Sequence, residues 1–260
     1  MSVFEYSSGT PVSASIDTVA GSGVTLKLKF GSGPGDEIVA SPPTIARFRG
    51  EHSSTKGNVT TFLLEALAPG KATLTALTGK KPYGISAGPI VVNVLPKLVL
   101  PPPGTDAGLL ARLFLAETLG PLASSSYNLA DTKLAMRLMH VVVSNRLKTP
   151  SAIWGSAGAK SLPDVIRAPG QFAGFEHYPT IWTGVQYVIE QAVVLANEGS
   201  HPRLSDLRNF VSAALDEAAQ RNPMDPSSSG LYWWRTGGSG APAKTAHVYK
   251  TVSNNTFYMR

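Results

Sequence analysis

The amino-acid sequence predicts a multidomain protein: an all-β sandwich over residues 1–96, a Pro-rich linker at 97–105, and a mainly α-helical domain over 106–260. Three observations predict it. Apolar residues alternate with period two in the first part, a run of prolines follows, and beyond it apolar residues recur at helical spacing.

In GVTLKLKFG, Val24, Leu26, Leu28 and Phe30 alternate with Thr25, Lys27 and Lys29, which is the pattern of a half-buried strand. TIARFRG, NVTTFLLEAL, KATLTALTG and GPIVVNVLP are further strands, separated by turn sequences such as GSGPGD and APGK. Many short strands at such spacing predict a sandwich. The segment LAPGKATLTAL, Leu67 to Leu77, with the closing strand PIVVNV, resembles the bacterial immunoglobulin-like domains of surface and secreted proteins. Modules of that kind bind or space, and none of these residues points to chemistry. KLVLPPPGTD is a linker by composition, because consecutive prolines hold the chain extended.

LLARLFLAETLGP opens the helical part. Leu110, Leu113, Phe114 and Glu117 fall at i, i+3, i+4 and i+7 on one face, and Gly120-Pro121 supplies a stop. Asp131 is the expected cap of a second helix, on which Leu134, Leu138, Val141, Val142 and Asn145 share a face. SLPDVIRAPG pairs Ser161 with Asp164 in a capping-box pattern, and Pro169-Gly170 ends it. A fourth helix is expected from about Gly184 to Asn197. A fifth carries Leu207, Phe210, Val211, Ala214, Leu215 and Ala218, and stops at Asn222-Pro223. The tail is aromatic and Gly-rich, with HVYKTV and NTFYM as short strands.

Glu117 is out of place in so apolar a run. It lies on or beside the buried face, in the last turn of its helix, where the helix dipole disfavours negative charge. Desolvation and the dipole both favour the protonated carboxyl, which is what a general acid needs.

Composition narrows the alternatives. The chain has no cysteine, so disulfides, thiolate metal sites and thiol nucleophiles are excluded. Its charge of +6 is scattered and no zinc-finger or RNA-binding motif accompanies it, so nucleic acid is not an expected partner. No charged start followed by a long apolar core marks a signal peptide, and no run is long enough for a membrane span. His52, His140, His177, His201 and His247 are dispersed and no H-E-x-x-H occurs, so neither a metal site nor any other cofactor is expected. No G-x-S-x-G elbow marks a serine hydrolase.

Stretches of the second half resemble, in order, the cell-wall hydrolase family typified by spore-cortex-lytic enzymes. LLARLFLAETLGP is similar to that family's opening helix with its A-E-x-x-G turn, and MHVVVSNRLKTP to its V-x-N-R segment. VIRAPGQFAGF matches the P-G-Q-F loop. DPSSSGLYWW and NNTFY match the D-P-T-x-G-A-L-Y and closing G-N-H-x-F-Y elements. The resemblance implies a lysozyme-like, mainly helical fold that cuts peptidoglycan glycan strands next to N-acetylmuramic acid. It also implies that Glu117 is the catalytic acid, as its burial already indicated. Glu117 would protonate the leaving oxygen as an oxocarbenium-like centre forms. It would then act as base for water (a muramidase) or for the sugar's own 6-hydroxyl (a lytic transglycosylase).

A second carboxylate would have to come from Asp131, Asp164 or Glu176. The first two have capping explanations, and Glu176, just after the P-G-Q-F loop, either faces the cleft or is solvated. The family match places Gln171 and Phe172 on the cleft, with core packing as the competing role of Phe172. Tyr232, Trp233 and Trp234 offer aromatic faces for sugars, and one of the two tryptophans, taken as Trp233, faces substrate while the other packs. Asn254 and Tyr258 match the closing motif, where they contact an acetamido group or hold the tail. The chain departs from the family at LASSSYNLAD, at Pro121, in the long SAIWGSAGAKSLPD segment, and at Asn255, where histidine is usual.

A cell-wall enzyme with neither signal peptide nor disulfides suggests a toxin exported by a dedicated machine. Type VI secretion effectors, acting in the periplasm of a target cell and countered by a cognate immunity protein, fit that description. A phage endolysin, or a catalytically inactive peptidoglycan-binding protein, are the alternatives.

Overall fold

The computed structural model describes residues 3–6, 9–12, 14–29, 36–53, 59–78, 81–82, 89–123, 125 and 127–260. The chain forms two compact units, Met1–Lys97 with Asn197–Leu204, and Leu98–Ala196 with Ser205–Arg260. The first contains β-sheet and the second is largely helical.

The first unit is built from β1 (Val3–Tyr6), β2 (Ser15–Val19), β3 (Gly23–Lys29), β4 (Asp36–Ser41), β5 (Ala46–Ser53), β6 (Val59–Ala66), β7 (Gly70–Thr78), β8 (Lys81–Pro82) and β9 (Ile90–Leu95). One sheet has the order β1-β3-β6-β5; the other runs β2-β9-β7-β4, with β8 on β7. Pairing is antiparallel except between β2 and β9, where Ser15 lies opposite Val91 in a parallel ladder. Both sheets bury one face in a common core. Val24, Leu26, Phe62 and Leu64 come from the first, and Ile16, Ala72, Leu74, Ile90, Val92 and Val94 from the second. The alternation in β3 is realised as buried Val24 and Leu26 against exposed Thr25, the period-two consequence of a pleated strand. Phe30, most of the GSGPGD turn and the side chains of Leu28, Lys29 and His52 lie outside the described residues, as do Ser124 and Ser126 of LASSSYNLAD.

The second unit contains α1 (Asp106–Glu117), α2 (Leu129–Lys148), a 3₁₀ turn (Ala152–Trp154), α3 (Leu162–Ile166), α4 (Thr183–Ala196) and α5 (Leu204–Ala218). It closes with β10 (Leu231–Thr236), β11 (His247–Val252) and β12 (Asn255–Met259), in the order β10-β12-β11. Helix α1 is apolar nearly all round and is therefore buried nearly all round: from Gly108 to Leu115 only Arg112 is not buried. Around it pack Met136, Met139 and Val142 of α2, Val165 and Ile166 of α3, Phe210 and Val211 of α5, and Leu231 and Phe257 of the small sheet.

The Pro-rich stretch after Lys97 packs along α1. Leu98 and Leu100 lie against the helical core. Arg112 Nη1 donates to the Pro101 carbonyl at 2.9 Å, and the Tyr178 hydroxyl donates to that of Pro103. Gly108 permits this approach, since a Cβ there would stand 2.0 Å from the Pro102 carbonyl oxygen. Thr105 caps α1 by accepting from Gly108 N at 3.0 Å.

The N-cap of α2 is Asn128, whose side chain accepts from Ala130 N and Asp131 N. Asp131, expected to cap, lies one turn further in, where an acidic residue still favours the helix dipole. Ser161 caps α3 as its pattern predicts, and the Asp164 carboxylate accepts from Lys160 N at 3.0 Å. No helix among the described residues is long and apolar enough to cross a membrane.

Candidate active site

Because α1 runs through the centre of its unit, its C-terminal end delivers Glu117 to the wall of a cleft rather than to open solvent. Glu117 lines two cavities. One, of about 380 Å³, is largely apolar, with Leu119, Leu122, Val188, Leu207 and Phe210 in its walls. The other, of about 530 Å³, is lined by Arg146, Trp154, Gln171, Phe172, Glu176, Trp233 and Trp234 among others. A third, of about 470 Å³, shares Leu119, Ser253 and Asn254 with the apolar one and contains Asp131 and Thr132. Glu117, with Thr236, thus belongs to the walls of two adjoining cavities, and space extends beyond one of them.

Burial raises the pKa of Glu117 above its ordinary value, and a hydrogen bond from Trp234 partly opposes the shift. That bond runs from the indole Nε1 to Oε2 at 3.4 Å. Asn255 fixes the main chain at the same point. Its side-chain amide donates to the Glu117 carbonyl and to the Ser253 carbonyl, each at 3.1 Å. The Glu117 carbonyl lies in the last turn of α1, where intrahelical partners run out, so the bond answers a defined need. Asn255 begins β12 directly after a two-residue turn in which Ser253 and Asn254 both have positive φ, the geometry of a type I′ hairpin. Thr118 closes the helix, its hydroxyl donating to the Phe114 carbonyl at 2.6 Å.

On the polar side, β10 and the Gln171 loop are knitted to α2. Asn145 donates to the Leu231 carbonyl at 3.0 Å and to the Asp225 carboxylate. Asp225 in turn accepts from Ser227 N, Ser227 Oγ and Leu231 N. These bonds give physical content to the N-R and D-P-S elements of the sequence: they hold the turn before β10. Arg146 Nε donates to the Tyr232 carbonyl at 2.7 Å, and Nη1 donates to Gln171 Oε1 at 2.9 Å.

The residues expected at a site are partly brought together. Glu117, Gln171, Phe172, Glu176 and Trp233 line the polar cavity. Asn254 lines the apolar cavity, and its carbonyl accepts from Gly237 N at 2.7 Å. Phe172 is 2 % exposed and packs at once on Trp234, with ring centroids 5.1 Å apart, and in the core. The Glu176 carboxylate accepts from Gly174 N at 2.8 Å. Among the described residues it is the one other carboxylate lining either cavity that Glu117 lines; Asp131 lies in the third. Tyr232 stacks on Trp154 at 4.1 Å. Tyr258 is buried with Trp154 and Trp233, and its hydroxyl donates to the Gly240 carbonyl at 3.0 Å, so it holds the tail and does not line a cavity with Glu117.

Sequence reasoning did not single out Arg146, Trp154 and Asn255 as site residues, and of the two tryptophans it took Trp233 for the substrate face. Strict alternation could not have chosen between the two tryptophans, because β10 is irregular between Leu231 and Trp233: Leu231 and Trp234 pack with the helical core, Trp233 packs with Trp154 and Tyr258, and both tryptophans line the polar cavity. Among the described residues, no group of three or more histidine, aspartate or glutamate side chains is placed to hold a metal ion.

No protein-family model matches the chain, and no curated protein matches it. Among solved structures, parts of the surface layer protein SbsC are similar to it at low scores. Domains 1–6 match with 15 % identity and a TM-score of 0.30, covering 38 % of this chain and 13 % of that one. Domains 5–6 match with 17 % identity and a TM-score of 0.28, covering 34 % and 43 %. Domains 4 and 5 match with 20 % identity and a TM-score of 0.25, covering 32 % and 42 %. The chain therefore spans less than half the length of each, and likenesses this slight decide neither fold nor function.

Proposed function

We propose that this protein cleaves the glycan strands of peptidoglycan next to N-acetylmuramic acid, with Glu117 as general acid. The single observation that carries the proposal is the placement of Glu117: a residue whose carboxyl pKa is raised by burial, in the walls of two cavities that meet at it. A polymer threaded through such a junction has units on either side of the proton donor, as cleavage of an internal bond requires. Glu117 gives its proton to the glycosidic oxygen, the leaving strand departs, and positive charge develops on the sugar that remains. Once ionised, Glu117 removes a proton from the incoming oxygen. Trp234 steadies the carboxylate in that second state by donating to Oε2. If the incoming oxygen is water, the product has a reducing muramic end; if it is the 6-hydroxyl of the same sugar, an anhydro end.

In this proposal the helical unit is a lysozyme-like domain and the β unit an immunoglobulin-like module that binds or spaces. The resemblance of its motifs to those of cell-wall hydrolases supports it. We further propose export as an antibacterial effector of type VI secretion, active in a target cell's periplasm, with an immunity protein that plugs the cleft. Two experiments test these statements. Purified sacculi should lose turbidity on addition of the protein, whereas tight binding without clearing would make it a binding protein. Expression in the bacterial cytoplasm should be harmless and export to the periplasm lytic. Periplasmic expression without lysis would count against the effector role.

A further inference from the structure

Arg146 is a charge placed where charge is costly. It is 4 % exposed, and burial lowers its pKa to about 10. Its partners are neutral: the Tyr232 carbonyl, Gln171 Oε1, and the ring of Phe172, whose centroid is 5.5 Å from Cζ. Among the described residues no carboxylate forms an ion pair with it. Buried guanidinium groups ordinarily have an anionic partner, because neutral acceptors satisfy the N–H groups without compensating the charge. If Arg146 served only to tie α2 to β10 and the Gln171 loop, a neutral donor would do so with less desolvation. Yet it lines the cavity that Glu117 lines.

Gln171 has the properties of a replaceable partner. It is partly buried on the same cavity wall, and its side chain fits there because position 155 is glycine. A Cβ on Gly155 would stand 2.5 Å from Gln171 Nε2.

We propose that the polar cavity is a subsite for a sugar bearing a carboxylate, bound by Arg146, with the ligand's carboxylate replacing Gln171 Oε1 as acceptor on Nη1. This rests on the glycan-cleaving function proposed above. The lactyl ether of N-acetylmuramic acid ends in a carboxylate that is free only where no peptide stem is attached. The subsite therefore selects peptide-free stretches of strand and discriminates against neutral hexosamine polymers.

The test is a binding measurement on the full chain carrying Glu117→Gln, so that the ligand is not consumed. Peptide-free glycan oligosaccharides are compared with the same oligosaccharides after conversion of their carboxylates to N-methylamides. The free acids should bind about 10–100-fold more tightly, the usual scale for a hydrogen bond to a charged group. Adding Gln171→Glu gives the guanidinium an internal carboxylate. It should reduce that ratio to within about twofold while the melting temperature holds or rises. Equal binding of acid and amide, a ratio unchanged by Gln171→Glu, or no binding of either oligosaccharide would overturn the proposal. Strands with intact stems should bind like the amides. If they bind as tightly as the free acids, the carboxylate belongs to the stem, and the muramic assignment falls. Failure of wild type to cleave peptide-free glycan strands would instead remove the glycosidase function and leave the binding ratio readable.

Discussion

Replacing Asn255 by alanine tests how the C-terminal end of α1 is held. The amide of Asn255, 5 % exposed, donates to the Glu117 and Ser253 carbonyls, each at 3.1 Å. Alanine supplies neither bond, and a fully buried carbonyl left without a donor costs about 1–3 kcal/mol. Taking the lower half of that range for acceptors at a helix end and a turn, the loss is about 2–4 kcal/mol. For a domain of this size it corresponds to a fall in melting temperature of roughly 5–15 °C. Circular dichroism at the helical band measures it. Asn255→Asp provides a second reading, because an ionised carboxylate cannot donate and repels both carbonyl oxygens. The aspartate variant should therefore be as unstable as alanine at neutral pH and recover part of the loss in acid, where a protonated carboxyl donates again. The alanine variant should show no such recovery. Melting of Asn255→Ala within about 2 °C of wild type would refute the tether, since even one bond of this kind is worth more.

Other substitutions examine the same end of the fold. The raised pKa of Glu117 means that the folded state holds its proton more firmly than the unfolded state, so stability falls as pH rises from the unfolded value through the folded one. Glu117→Gln abolishes that fall: in urea titrations it should gain on wild type between pH 4 and pH 8, and a constant difference would contradict the desolvation of Glu117. Activity that depends on protonated Glu117 should be lost as pH rises through its pKa. Trp234→Phe removes the donor that favours the ionised form, so the alkaline limb should move to higher pH, and an unmoved limb would dismiss the bond. Gly108→Ala should destabilise by about 1–3 kcal/mol despite the better helix propensity of alanine, because its Cβ meets the Pro102 carbonyl oxygen. Stabilisation would mean that the Pro-rich segment yields freely.

Local chemistry made some elements legible in advance. HVYKTV and NTFYM became β11 and β12, and the Ser161 pattern became a cap, because turn and capping signals act over a few residues. The apolar run ending at Glu117 located α1 for the same reason. β1, β2, β4 and β8 were not anticipated: they are short, and their place in a sheet depends on partners distant in sequence or on the turn before them. The cap of α2 fell to Asn128 because Asn and Asp are near-equal caps, and only the path of the preceding loop decides between them. Arg146 could not be read as buried, since arginine is ordinarily exposed and its position follows from how α2, β10 and the Gln171 loop converge.

The central claim is that Glu117 supplies the proton for glycan cleavage. Mass spectrometry of fragments released from purified peptidoglycan by wild type and by Glu117→Gln tests it most directly. Wild type should release disaccharide-containing fragments, with anhydro ends marking a lytic transglycosylase and reducing ends a muramidase. Glu117→Gln should release about 10²–10⁴-fold less, the usual contribution of general acid catalysis. Equal release by the two proteins, or cut peptide stems on intact glycan, would contradict the account.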